Sequence, residues 1–247
     1  QIKEIINSSL CSVFFIDESQ RVTLKDIGTV NEIKKWADQL DSQVIEMELL
    51  SQFRCNGSDG YLAWIDETLE IRETANFDMK DIDYDIKIVD SPNEVRNLII
   101  ERNKVRNNSR ILAGYCWEWL KAQQNNSEYH DIKIDDFEMS WNLGNSSTYA
   151  IDEKSVDEIG CIHTSQGLEF DYVGVIIGDD MRYENNHIVT DFTKRAKSDQ
   201  SLMGIKKLYN ENPEKALTEA DEIIKNTYRT LMTRGMKGCY VYCTDSN

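Results

Sequence analysis

Several things are missing from this sequence, and each absence narrows the reading. Nowhere in its 247 residues is there a run of 18 apolar side chains, so no membrane-spanning helix is predicted. The opening stretch, QIKEIINSSLCSVFFIDES, lacks a basic region followed by a small-residue cleavage site, so no secretory signal is expected there. Gln1 is not an initiator, so the chain is expected to be a fragment or a processed product. The six cysteines, at 11, 55, 116, 161, 239 and 243, form no CxxC pair, and the three histidines are scattered. Zinc-type ligand spacing is therefore absent. Reduced thiols in a cytoplasmic protein are the expectation. There is no internal repeat and no low-complexity tract.

Positive charge is also scarce. Lysine and arginine number 28 against 44 acidic residues, a net charge of −16, which argues against a generally basic nucleic-acid binder. The imbalance is local. Residues 1–181 carry 17 basic and 35 acidic side chains, whereas residues 182–238 carry 11 basic and 8 acidic. A polyanion is expected to meet the C-terminal part.

Strand-like and helix-like stretches alternate along the chain. Apolar runs predict buried strands at Cys11–Ile16, Val44–Leu50, Ile86–Val89, Arg110–Tyr115, Tyr172–Ile177 and Cys239–Cys243. Helical spacing predicts helices over Asn31–Leu40, Tyr61–Leu69, Trp117–Gln124 and Glu222–Arg229. A further helix should start at Ser91-Pro92-Asn93-Glu94, with Ser as cap and Pro in the first turn. Residues 125–158 are polar and weakly patterned, and 179–220 read as a long polar insertion. The alternation implies an α/β fold with a mainly parallel sheet.

Four polar clusters beside these elements carry chemical potential. Asp17-Glu18-Ser19-Gln20 follows an apolar run, and carboxylates at the tip of a parallel strand sit where such sheets bind ligands. Asp17 could hold Mg²⁺, Glu18 could orient an attacking water, and Gln20 could sense a γ-phosphate. Gln52-Phe53-Arg54 offers a guanidinium suited to phosphate. His163-Thr164-Ser165-Gln166-Gly167-Leu168-Glu169 precedes a strand, with Gly167 permitting a tight turn. Tyr228 to Arg234 precedes another strand. Trp117, Trp119 and Trp141 are either core or base-stacking platforms.

Taken together, FFIDESQRV, ELLSQFRCNGSDGYLAWID, RILAGYCWEW, EIGCIHTSQGLEFDYVGVIIGDD and IIKNTYRTLMTRGMKGCYVYCTD resemble the Schlafen-related superfamily 1 helicase-like ATPases catalogued as domain of unknown function 2075. The resemblance spans almost the whole chain. It implies a RecA-like P-loop NTPase architecture with ATP and Mg²⁺ between two lobes and single-stranded DNA or RNA as a partner. The first lobe would end at about residue 75, residues 76–85 would link, and 86–247 would form most of the second. Asp17, Glu18 and Gln20 match motif II, Arg54 motif IV, and Gly167 and Glu169 the motif V contacts to nucleotide. His163, Thr164 and Ser165 match residues that face nucleic acid, and Arg234 matches the arginine finger. Two departures accompany the match. No GxxxxGK[ST] phosphate loop occurs, and no GDxxQ motif III lies between Gln20 and Gln52, where Asp26-Ile27-Gly28 stands instead. The isolated chain is therefore expected to be inactive, as the C-terminal portion of a helicase-like ATPase. A nucleotide-sensing or protein-interaction module, ancillary to a nuclease or a defence system, is the alternative.

Overall fold

The computed structural model describes residues 1–26, 28–47, 55, 58–80, 82–144 and 148–246. Its centre is a seven-stranded sheet. In chain order the strands are β1 (Asp85–Ile88), β2 (Ser109–Ala113), β3 (Ile132–Ile134), β4 (Phe137–Trp141), β5 (Glu158–Gly160) and β6 (Phe170–Ile177). A separate hairpin, β7 (Met181–Glu184) and β8 (His187–Thr190), follows, and β9 (Gly235–Cys243) returns to the sheet. The spatial order is β1-β9-β6-β2-β5-β4-β3, parallel throughout except for the β3–β4 hairpin at one edge. The α/β class with a mainly parallel, RecA-like sheet is thus observed.

The helices are α1 (Ile2–Ser8), α2 (Val30–Gln39), α3 (Asp59–Thr68), α4 (Pro92–Val105), α5 (Ile162–Ser165), α6 (Ile205–Glu211) and α7 (Pro213–Met232). The start of α4 is the one its sequence predicts: Ser91 accepts from the Asn93 amide, with Pro92 in the first turn. The central strands bury both faces, and alternation sorts their side chains between two cores. Val173, Val175, Cys239 and Val241 face α7 and α3, together with Ile223, Ile224, Leu231, Tyr61 and Ile65. Ile111, Ala113, Ile176 and Tyr240 face α4 through Val95 and Ile99. Gly174 lies on the α4 side, where an added Cβ would stand 2.4 Å from Val95 Cγ1, so the helix rests directly on the strand backbone. Only Thr233 and Arg234 separate α7 from β9.

Some expectations fail. Cys11–Ile16 is not a buried strand. It takes no regular secondary structure, with Val13 and Phe15 exposed, and it pairs with no strand among the described residues. Apolar composition records a tendency to be buried, but a strand also needs a neighbour to complete its hydrogen bonds. The described part of Val44–Leu50, residues 44–47, is likewise exposed and unpaired in any sheet. Trp117–Gln124 forms only a 3-10 turn at Lys121–Gln123. Its polar groups meet the insertion instead: the Trp119 amide donates to Ser198 Oγ at 3.2 Å, and the Glu118 carboxylate accepts from the Lys197 and Ser198 amides. The weakly patterned 125–158 stretch holds β3 and β4, signalled in retrospect by the period-2 series Ile132, Ile134 and Phe137, Met139, Trp141. Trp141 is core, its ring 4.7 Å from Tyr115.

The 179–220 insertion is ordered by charge. Arg195 is 2% exposed and donates to Asp199 Oδ2 at 2.6 Å, Asp180 Oδ2 at 3.2 Å and Ser201 Oγ at 3.1 Å. Asp180 also accepts from the Tyr228 hydroxyl at 2.5 Å, which in turn accepts from the Gly178 amide at 3.0 Å. Removing the arginine would strand two buried carboxylates. Arg195→Ala should therefore lower the unfolding free energy by about 3–5 kcal/mol, measured by urea denaturation. A loss below about 1 kcal/mol would mean that the carboxylates find protons or water at little cost.

Candidate functional site

The Asp17–Arg21 turn, the Gly167–Glu169 segment and Arg234 gather around the C-terminal half of α7. One stripe of this helix, Glu219, Glu222, Asn226 and Arg229, recurs at helical spacing and receives the segment Asp17–Arg21. Arg21 pairs with Glu219 at 2.6 Å and Glu222 at 3.4 Å, and Asn226 Nδ2 donates to the Arg21 carbonyl at 3.1 Å. Arg229 reaches further, with Nε 2.5 Å from Asp66 Oδ1 and Nη1 3.2 Å from Ser19 Oγ.

Asp17 caps a 3-10 turn over Glu18–Gln20. Its Oδ1 accepts from the Ser19 amide at 3.1 Å and the Ser19 hydroxyl at 2.5 Å, and its Oδ2 accepts from the Gln20 amide group. Partial burial raises its pKa, but those hydrogen bonds and the Arg229 charge outweigh burial and hold the carboxyl below its ordinary value. Glu18 accepts from the Val30 amide at 3.0 Å, tying the turn to the start of α2. Hard oxygen donors are the right chemistry for Mg²⁺, which takes one or two protein carboxylates and fills its shell with water and phosphate. Among the described residues no three His, Cys, Asp or Glu side chains cluster as a self-sufficient metal site.

At the end of α7, Arg234 is buried. Its Nε donates to the Thr230 carbonyl at 3.1 Å and Nη1 to the Leu168 carbonyl at 3.5 Å, while its own carbonyl accepts from the Phe170 amide at 3.0 Å. The segment around Gly167 and Glu169 is thereby stitched to the helix end. Gly167 has φ +85°, and an added Cβ would meet no atom within 4 Å, so its backbone, not crowding, selects glycine. Glu169 is exposed beside it. Cys55 Sγ lies 3.7 Å from the Thr233 carbonyl, and the Tyr61 hydroxyl donates to the Met232 carbonyl at 3.1 Å. Arg54 lies outside the described residues.

His163, Thr164 and Ser165 form α5 at the opposite end of β5 from Glu158. His163 is exposed, its ring 5.9 Å from Tyr115. The Thr164 hydroxyl donates to Asn142 Oδ1. Ser165 is buried, its hydroxyl turned to the Cys161 carbonyl at 3.0 Å. A polar hollow of about 420 Å³ lies elsewhere, past the ends of β6 and β9, lined by Asp179, Arg182, Asp191, Lys194, Thr244 and Asp245. None of the sequence-predicted residues lines it. No role is predicted from sequence for Asp66, although it lies in the predicted helix Tyr61–Leu69, and none for Arg229 beside Arg234. The one available signal was the spacing of Arg229 with Asn226 and Glu222.

Residues 1–245 match the family model of the Schlafen group 3 DNA/RNA helicase domain. The chain belongs to this family. It is also similar to the uncharacterized protein YPL245W of Saccharomyces cerevisiae, with 25% identity over 212 residues, covering 80% of this chain and 45% of the yeast protein. The chain thus spans less than half the length of that relative. No solved structure matches. Among the described residues, no helix of this Schlafen helicase domain is long and apolar enough to cross a membrane.

Glu158 opens the strand that leads into the Cys161–Gly167 segment. It is buried, accepts from the Leu143 amide at 2.5 Å, and has its pKa pushed up to about 7, chiefly by burial, from an ordinary 4.5. A raised carboxyl pKa means that folding takes up a proton. That contribution is complete below pH 4.5 and lost as the pH rises through 7. Between pH 5 and 8 the wild type should lose about 2–3 kcal/mol more stability than Glu158→Gln, read from urea unfolding at both pH values. Parallel pH profiles for the two proteins would refute the assignment.

Proposed function

We propose that this domain is the nucleotide-responsive part of a superfamily 1 helicase-like ATPase that couples ATP binding and hydrolysis to nucleic-acid processing. One observation carries the reading: α7 docks the Asp17–Arg21 turn on one face and meets the Gly167–Glu169 segment at its end, so the groups read as metal-binding and nucleotide-binding converge on one helix. Asp17 holds Mg²⁺, whose charge offsets that of the phosphates. Glu18 orients the attacking water, and Gln20 senses the γ-phosphate. Arg54 and Arg234 contribute positive charge to the transferred group, Arg234 by releasing the Thr230 and Leu168 carbonyls. Gly167 and Glu169 meet the nucleotide. His163 and Thr164 face the nucleic acid, and Ser165 supports them from beneath.

The net charge of −16 favours a second reading in one respect: a nucleotide switch would need no long polyanion track. The two diverge in one assay. ATP turnover by the full-length protein is measured with and without single-stranded DNA and RNA, beside Glu18→Gln and Arg234→Ala. A motor should be stimulated by a strand and should lose about 10²-fold or more with Glu18→Gln and about 10³-fold with Arg234→Ala. Strand-independent turnover lost in both variants identifies the switch. A full-length protein without turnover refutes the ATPase.

A further inference from the structure

We propose that Arg229, outside the roles assigned above, is the positioning residue of the acidic turn: it holds Ser19, and through Ser19 the Asp17 carboxylate, in the orientation a divalent cation requires. The proposal rests on the reading of Asp17 as a metal-binding carboxylate.

Asp66 is 4% exposed and the Arg229 side chain 12%, so this is no solvated surface pair. Both Asp66 oxygens are used: Oδ1 by Arg229 Nε at 2.5 Å, and Oδ2 by Arg72 at 2.9 Å. Asp66 therefore fixes the plane of the Arg229 guanidinium from the side away from the turn. A guanidinium is a rigid fork, so fixing Nε also fixes where Nη1 points, and it points at Ser19 Oγ, 3.2 Å away.

Chemistry then sets the direction of every proton in the chain. Arginine has donors only, so Ser19 Oγ must accept from it. The Ser19 proton is thereby left to donate, and Asp17 Oδ1 stands 2.5 Å away to receive it. The order is Asp66 to Arg229 to Ser19 to Asp17, each partner fixing the next. Asp17 and Asp66 lie on separate elements, and Arg229, in the last turn of α7, reaches both Asp66 and Ser19. The neighbouring Arg21 and Asn226 contacts hold the same turn against the same stripe. Three of the four Asp17 carboxylate lone pairs are thus taken by the Ser19 amide and hydroxyl and the Gln20 side chain, and one on Oδ2 is left for a ligand.

The test is Mn²⁺ binding by the full-length protein in the presence of ADP, read by electron paramagnetic resonance, so it does not depend on turnover. Asp17→Asn should abolish the site. Arg229→Met and Ser19→Ala should each weaken Mn²⁺ binding by roughly tenfold, the scale expected when a residue that orients a metal ligand is lost. The double variant should be no weaker than either single, because both cut one chain. Arg229→Lys should fall between, keeping charge but losing the fork. Ser19→Ala leaves every buried charge paired, so it decides the matter if Arg229→Met fails to fold. Mn²⁺ affinity within twofold of wild type in Ser19→Ala, additive losses in the double variant, or no Asp17-dependent Mn²⁺ site in the wild type would each overturn the proposal. Asp17-dependent Mn²⁺ binding without ATP turnover would overturn the ATPase reading and leave the role of Arg229 standing.

Discussion

Burial of the C-terminal half of α7 is the constraint on which the rest of this domain depends. From Ile223 to Met232 the helix is buried at every position but Arg229, and Arg229 is itself mostly covered. A helix enclosed on all sides cannot leave its polar side chains to water, so most find a partner in the protein. Asn226 finds the Arg21 carbonyl, Thr227 the Ile223 carbonyl, Tyr228 finds Asp180, and Arg229 finds Asp66 and Ser19. The acidic turn, the polar insertion and α3 are therefore placed by side chains of one helix. Apolar packing holds α7 against the sheet, and its polar groups choose what gathers around it.

Those choices differ in kind. Tyr228 joins a network in which an arginine and two carboxylates are removed from water together. Such a network adds little net stability but strongly penalises any arrangement that separates its members. The Arg229 contacts are less enclosed and end on a turn that remains exposed. One helix thus anchors a fixed element on one side and an accessible one on the other.

Much of this was legible in the sequence, for local reasons. Strands β2, β6 and β9 are apolar enough to read as buried on both faces, and Ser91-Pro92 announces α4 through chemistry confined to one turn. The order of the polar motifs was legible as well, and those around Asp17, Gly167 and Arg234 all meet α7. What escaped depends on distance along the chain. Asp66 and Arg229 are 163 residues apart, and neither is distinctive where it stands. The Cys11–Ile16 run shows the opposite error: its composition is strand-like, but composition cannot name the strand it would pair with. Trp117–Gln124 gives its Trp119 amide and Glu118 carboxylate to the insertion in place of a helix, a competition that local spacing does not reveal.

The two-residue link between α7 and β9 has a mechanical meaning. β9 lies between β1 and β6 and exchanges hydrogen bonds with both. A slip of one residue would turn its core side chains to the wrong face, so the strand cannot slide to absorb strain. With only Thr233 and Arg234 between them, the helix has almost no slack in which to rotate alone. A displacement imposed at the acidic turn must then be carried by helix and sheet as one body, like a lever bolted to its fulcrum, and not dissipated as a local wobble.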